Sequence, residues 1–318
     1  MRVSAVAMAV PSQVQSADEL APLIDRSAQW IQEHTGVLNR HIAAANMAPA
    51  ELAAIAAREV ISKTGKPDLI LYAGALTQQL VPDTSVFVQK ALGLEGINAF
   101  TVNQTCLSFI AAIQVANSLL KDRAYARILI CSAELATRGR SFKEPESASL
   151  LGDGAAAAIV EYTSDSSSEL LHCQIQTWPE GTELCYVRAG NHPPPSATAD
   201  HEELFRFHMH GPQLYRFVRP RLKKFIAEFL ASANCSIDEI QVIVPHQASG
   251  PGLRILEQCG FSHERIINVV ADYGNCVAAS IPMAIAVANK EQRLVRGDKL
   301  LLIGTAAGVS VGAALLRW

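Results

Sequence analysis

The sequence has no hydrophobic run approaching the roughly 20 residues of a membrane-spanning helix. It has no excess of positive charge either: 27 Lys and Arg stand against 30 Asp and Glu, a net charge of −3. That removes both the electrostatic footprint of a nucleic-acid binder and the polybasic patch of a membrane-surface protein. It has no Cys-x-x-Cys pair, and its seven cysteines are an odd number. A disulfide framework and a zinc site are therefore both disfavoured. Several cysteines lie in apolar surroundings, such as Cys131 in Ile128-Leu129-Ile130-Cys131-Ser132. This fits a reducing compartment and places the protein in the cytoplasm. No Gly-x-Gly-x-x-Gly follows an early strand, so a hydride-transfer enzyme with a nucleotide-binding half has little support. Nothing points to a metal or a bound organic cofactor. The apolar stretch over residues 1–10 is short, lacks a clear small-residue cleavage site and stops at Pro11, so it reads as a first strand and not as a signal peptide.

What is present is material for a large core. Apolar residues make up 49% of the 318 and charged residues 18%, enough for one large domain or two ordinary ones. Two halves read alike. In the first, a helical stretch (50–63) leads into a buried strand within 66–74; in the second, 213–233 leads into 236–245. Each half continues through a further helix to a strand (99–102 and 266–270), then a long helix (107–121 and 278–290). Each closes with two strands around a glycine-bearing loop (126–132 with 150–160, and 299–304 with 308–316). Such a period indicates duplication of one α/β unit. Continuous apolar strands alternating with helices indicate sheets covered on both faces. The polar, serine-rich segment 163–168 marks the crossover, giving halves 1–165 and 166–318. The segment 192–203, rich in Pro, His and acid, reads as a surface loop.

Three residues carry candidate chemistry. Cys106, in Thr101-Val102-Asn103-Gln104-Thr105-Cys106-Leu107-Ser108-Phe109-Ile110, stands between a strand and a helix. The positive end of the helix dipole favours a thiolate there, so Cys106 is a nucleophile or else a buried structural thiol. His246 follows a strand (241–244) and Pro245. By itself it reads as a satisfied buried histidine, as unremarkable as His172, His201 and His263. Asn275, in Tyr273-Gly274-Asn275, reads as a turn residue.

Six motifs in order change the weighting. They are Trp30-Ile31-Gln32-Glu33-His34-Thr35-Gly36-Val37-Leu38-Asn39-Arg40, Thr105-Cys106-Leu107-Ser108-Phe109, Leu151-Gly152-Asp153-Gly154-Ala155, Pro245-His246-Gln247-Ala248-Ser249, Tyr273-Gly274-Asn275-Cys276-Val277-Ala278-Ala279-Ser280-Ile281-Pro282, and the closing stretch 296–318. With them the chain resembles the thiolase superfamily, and within it the β-ketoacyl-[acyl carrier protein] synthase III group, nearly end to end. The resemblance implies a duplicated α/β thiolase-like fold in five αβαβα layers. It implies acyl transfer from a thioester to Cys106, then decarboxylation of a malonyl thioester and attack of the resulting carbanion on the acyl group. Cys106 would be the nucleophile, its pKa held below the free value of about 8.5 by the helix and a nearby imidazole. The backbone N–H groups of Cys106 and Ala307 would form an oxyanion hole, each donor worth roughly 3–4 kcal/mol. His246 and Asn275 would donate to the malonyl thioester oxygen as the enolate forms. Asp153 would be structural. The implied partners are substrates and no cofactor: acyl-CoA or an acyl carrier protein, a malonyl thioester, and a second copy of the chain joined through the strand 99–102.

The departures from the family pattern point to specialisation. His34 replaces the arginine that, with Trp30, clamps coenzyme A, and a neutral imidazole grips phosphate less well. Ser249 replaces an asparagine that contacts the pantetheine arm. Pro251 stands at a carrier-docking arginine, with Arg254 one turn later. The small residues around the nucleophile become Gln104, Thr105, Leu107 and Ser108, and the bulk of Leu107 is expected to reshape the acyl cavity. Val81 replaces the phenylalanine that closes the pocket in acetyl-specific members. The expected substrate is thus a non-acetyl primer, in fatty-acid or specialised polyketide-type metabolism. Transfer of the acyl group to an alcohol, amine or thiol is the alternative, and Asn275 weighs against it. A non-catalytic partner subunit is a third reading, opposed by the presence of Cys106, His246 and Asn275.

Overall fold

The computed structural model describes residues 1–164, 167–190 and 201–318. Two mixed sheets organise it. The first has five strands in the order Arg2–Ala9, Asp153–Glu161, Arg127–Leu135, Leu69–Ala73, Asn98–Val102. The second has four: Val242–Pro245, Lys299–Ala306, Ser310–Arg317, Glu169–Thr177. Each sheet is drawn from one side of residues 165 and 166, which themselves lie outside the described residues. Leu69–Ala73 is parallel to both its neighbours and buried at all five positions, as a strand covered on both faces must be.

The two-residue side-chain period of a strand distributes these sheets into layers. From the first sheet, Leu69, Leu71, Ile128 and Ile130 point inward. From the second, Val242, Val244, Leu300 and Leu302 point to the same core, where the helices Ser108–Lys121 and Ser280–Lys290 lie between the sheets. Ile70, Tyr72 and Leu129 point outward onto the alanine-rich helix Pro49–Thr64 and the helix Thr84–Leu92. Ile243, Leu301, Ile303 and Val311 point outward onto the helices Gly211–Ser232 and Gly250–Glu257. The result is helix, sheet, helix, sheet, helix. No helix among the described residues is long and apolar enough to cross a membrane.

One expected strand is absent. Residues 266–270 form no strand; Ile266 makes a single bridge to Ile243, and Val270–Tyr273 is a helical turn. The reason is a side chain. Gln247 donates from Nε2 to the Ile267 carbonyl at 3.0 Å and accepts the Val269 N–H at 2.9 Å, so these backbone groups are satisfied without a ladder. Of the expected surface loop 192–203, residues 192–200 lie outside the described residues, and His201–Leu204 is one helical turn.

Candidate active site

Cys106 lies on a tight turn between the edge strand Asn98–Val102 and the helix Ser108–Lys121. Thr105 sits at φ +50°, in the left-handed region uncommon for a β-branched residue. The turn is held by Ser108, whose Oγ accepts the Gln104 N–H at 2.9 Å and donates to the Thr105 carbonyl at 2.6 Å. The helix starts two residues beyond Cys106, with Leu107 as a cap that makes no side-chain bond. The thiol does not behave as the dipole argument expects. Burial pushes its pKa up, the nearby Cys185 and Glu134 add to this, and the backbone N–H groups of Ala307 and Cys106 pull it down without offsetting the loss of water. Those two N–H groups reaching the sulfur are the pair expected as an oxyanion hole. Thr105 Oγ1 donates to the Ala307 carbonyl at 3.3 Å and ties the two loops together.

His246 leaves the strand Val242–Pro245 at the edge of the same site, its N–H bonded to the Ile303 carbonyl at 2.8 Å. Its ring is buried, which drives the pKa down to about 4 and keeps the imidazole neutral; Nδ1 has no hydrogen-bond partner among the described residues. Gly304 makes this approach possible. A Cβ there would lie 2.7 Å from His246 Cβ and 3.1 Å from Leu107 Cδ2. The same contact places Leu107: its side chain is fully buried between Gly304 and Gly312, a register pair of the second sheet.

Asn275 is positioned by the glycine motif. Gly152 pairs with its backbone: Asn275 N–H donates to the Leu150 carbonyl at 2.8 Å, and Gly152 N–H to the Asn275 carbonyl at 3.1 Å. A Cβ on Gly152 would sit 2.0 Å from the Tyr273 carbonyl oxygen, so no side chain fits. The amide is oriented at both ends, Oδ1 accepting the Val277 N–H at 2.8 Å and Nδ2 donating to the Ala248 carbonyl at 3.3 Å. Ala248 N–H in turn donates to the His246 carbonyl at 2.8 Å, which links the His and Asn loops. The Asp153 carboxylate is occupied by Ala43 N–H, Thr137 N–H and Thr137 Oγ1, each at 2.8 Å.

A cavity of about 390 Å³ opens at exposed His34 and Glu146, passes Thr35 and Ser249, and reaches His246, Gly304 and Thr305. Ser249 caps the helix Gly250–Glu257 by accepting the Gly252 N–H at 3.1 Å. Trp30 stacks on His34 with ring centroids 4.2 Å apart, and the Arg26 guanidinium lies 5.3 Å from the Trp30 centroid, a cation that precedes the Trp30 motif in the sequence. Arg254 is exposed. Val81 does not line this cavity; it is 82% exposed, in the connection between the strand Leu69–Ala73 and the helix Thr84–Leu92.

Glu134 was also missed. It is fully buried at the end of Arg127–Leu135 and accepts the Ala75 and Leu76 N–H groups at 2.6 and 3.3 Å. The one available signal was an acid inside an apolar strand run. No group of three or more metal-ligating side chains occurs among the described residues.

Two family models match the chain: 3-oxoacyl-[acyl-carrier-protein] synthase III over residues 100–179, and the C-terminal model of the same family over 230–318. The chain is 32% identical to the β-ketoacyl-[acyl-carrier-protein] synthase III of Rhizorhabdus wittichii, with 98% of this chain and 97% of that protein covered. It is 30% identical to that of Syntrophomonas wolfei, covering 100% and 98%. The crystal structure of 3-oxoacyl-[acyl-carrier-protein] synthase III from Aquifex aeolicus superposes with a TM-score of 0.91 at 28% identity, covering 100% and 99%.

Proposed function

This chain belongs to the 3-oxoacyl-[acyl-carrier-protein] synthase III family of condensing acyltransferases, and on that premise we propose that Cys106 carries the acyl primer while His246 and Asn275 serve the malonyl half-reaction. The observations that support the reading are that Gly304 lies against both His246 and Leu107, the residue after Cys106, and that the Asn275 amide donates to the Ala248 carbonyl, two residues beyond His246.

Burial pushes the Cys106 thiol up, which favours loss of its proton as sulfur attacks the primer thioester. The buried imidazole of His246 is the base assigned to take it. The tetrahedral oxyanion is met by the Cys106 and Ala307 N–H groups, and the departing thiol recovers the proton. In the second half, an imidazole N–H and the Asn275 amide donate to the malonyl thioester oxygen as CO₂ leaves. Both are neutral donors placed where negative charge develops. The enolate carbon then attacks the acyl carbonyl, the C–S bond breaks, and Cys106 is released. Acyl-CoA or acyl carrier protein delivers the thioesters past Trp30, His34 and Ser249, with Arg26 supplying positive charge at the mouth.

The finer reading is a non-acetyl primer in fatty-acid or specialised polyketide-type metabolism. It is supported by Val81, which is smaller than a closing phenylalanine. Two copies would join through Asn98–Val102, a strand at the open edge of the first sheet. The seven free thiols fit the cytoplasm.

The test combines intact-mass detection of acyl-Cys106, over a panel of acyl thioesters, with CO₂ release from a malonyl thioester. Asn275→Asp is expected to leave acylation in place and lower CO₂ release by about 10²–10³-fold. Acyl-Cys106 that passes to an alcohol, amine or thiol without CO₂ release would replace condensation by simple acyl transfer.

A further inference from the structure

Arg40 is among the largest fully buried side chains, with no exposed surface, yet the chemistry above leaves it without a task. It lies on the strand Asn39–Ile42. One nitrogen, Nη1, donates to the Ser149 carbonyl at 2.6 Å and to the carbonyls of Ala148 and Leu151 at 3.4 Å each. Nε and Nη2 have no hydrogen-bond partner among the described residues. Burial, and then the Arg140 guanidinium, push its pKa down to about 9, so it still carries its charge at neutral pH. A buried cation with two unmatched donors is a poor source of stability, and an apolar side chain of similar volume is often as good or better. Core stability therefore does not account for an arginine here.

What the guanidinium holds is the segment that positions Asn275. The carbonyls it binds interleave in sequence with the groups that bind Asn275. The Leu150 carbonyl accepts the Asn275 N–H at 2.8 Å, and the Gly152 N–H donates to the Asn275 carbonyl at 3.1 Å. Gly152 is pressed between the two sides: a Cβ there would lie 3.5 Å from Arg40 Cβ and 2.0 Å from the Tyr273 carbonyl oxygen. The stretch bearing Arg40 is tied to the same place by its backbone, Leu38 N–H donating to the Ala271 carbonyl at 2.9 Å. His41 stacks on Tyr273 with ring centroids 5.7 Å apart. Arg40 thus closes a ring. It runs from the Arg40 strand to the helical turn Val270–Tyr273, through Asn275 to residues 148–152, and back to the guanidinium. Cys106 and its turn are not members of that ring.

We propose that Arg40 is a positioning residue for Asn275, fixing the amide through residues 148–152 and so serving the malonyl half-reaction but not acylation. The inference rests on the condensation reading above for the task of the amide. Because a single nitrogen is engaged, a lysine, one bond shorter, can replace the arginine, whereas a side chain with no donor cannot.

The experiment compares Arg40→Met and Arg40→Lys with the wild type, each as the full chain. Two rates are read: acylation of Cys106 by intact mass, and CO₂ release from malonyl-CoA by the acylated protein. Arg40→Met is expected to lower CO₂ release by about tenfold or more and to leave acylation within about threefold; Arg40→Lys is expected to keep both within about threefold. Equal loss of both rates, unchanged CO₂ release in Arg40→Met, or a lysine variant no better than the methionine one overturns the assignment. Arg40→Gln, polar but two bonds shorter, carries the same test where Arg40→Met does not fold. Backbone hydrogen exchange, read by mass spectrometry, needs no turnover. Arg40→Met is expected to speed exchange by about tenfold or more over residues 270–278 as well as 148–152, with the helix Gly211–Ser232 unchanged. Unchanged exchange over 270–278, or faster exchange throughout, overturns the positioning role. Absence of CO₂ release from the wild type would overturn the condensation reading instead, and exchange over 270–278 would then decide the positioning of Asn275 by itself.

Discussion

Glu134 is enclosed by protein on every side, and burial raises its carboxyl to about 8 despite the N–H groups of Ala75, Leu76 and Ala278. In the unfolded chain the same group ionises near 4.5. Between those values the folded protein holds a proton that the unfolded chain has lost, so stability falls as pH rises through this window, by at most about 1.4 kcal/mol per pH unit. Glu134→Gln keeps an acceptor and removes the titration. Melting temperatures are expected to show the variant gaining on the wild type from pH 5 to pH 8, and a constant difference would refute this account. Desolvation also governs Cys106 and His246, lifting one pKa and lowering the other. Their identities were legible as motif residues, but their protonation states were not, because the water they lose is removed by residues distant in sequence.

At the scale of elements, the site depends on places where two segments approach more closely than any side chain allows. Gly304 lets the strand Lys299–Ala306 meet His246 and Leu107, and Gly152 lets the Leu150–Gly152 loop pair with Asn275. Gly304→Ala inserts a Cβ 2.7 Å from that of His246. We expect a loss of about 1–3 kcal/mol in denaturant unfolding, typical of overpacking, together with CO₂ release lowered by tenfold or more as His246 is displaced. Unchanged CO₂ release would show that the imidazole position is not critical. The strand-helix alternation was readable from apolar runs, which is why Arg127–Leu135, Lys299–Ala306 and the helix Ser108–Lys121 lie within a few residues of where periodicity puts them. The expected strand at 266–270 failed because a hydrogen-bonding side chain, Gln247, took the role of a neighbouring strand. No local pattern announces that substitution. The setting of Leu107 was hidden for a similar reason: its bulk was visible, but the hole between Gly304 and Gly312 that receives it is assembled from the other half of the chain.

At the scale of the whole molecule, the strand Asn98–Val102 is an open sheet edge and Val81 is exposed. We expect light scattering to give twice the mass of the chain, and Val81→Phe to lower acylation of Cys106 by long primers at least tenfold while sparing acetyl. Full activity of that variant on long primers would separate Val81 from the acyl chamber. The chain by itself determined the family, the repeated α/β unit and the residues that carry reactive groups, because these are written in the order of motifs and in the spacing of apolar residues. Tertiary structure alone decided that burial pushes the Cys106 thiol up, where the Leu107 side chain packs, and that a cavity lined by the helix Gly211–Ser232 reaches His246. Each of those depends on which remote surfaces exclude water and fill space, and neither exclusion nor filling has a signature in the order of neighbouring residues.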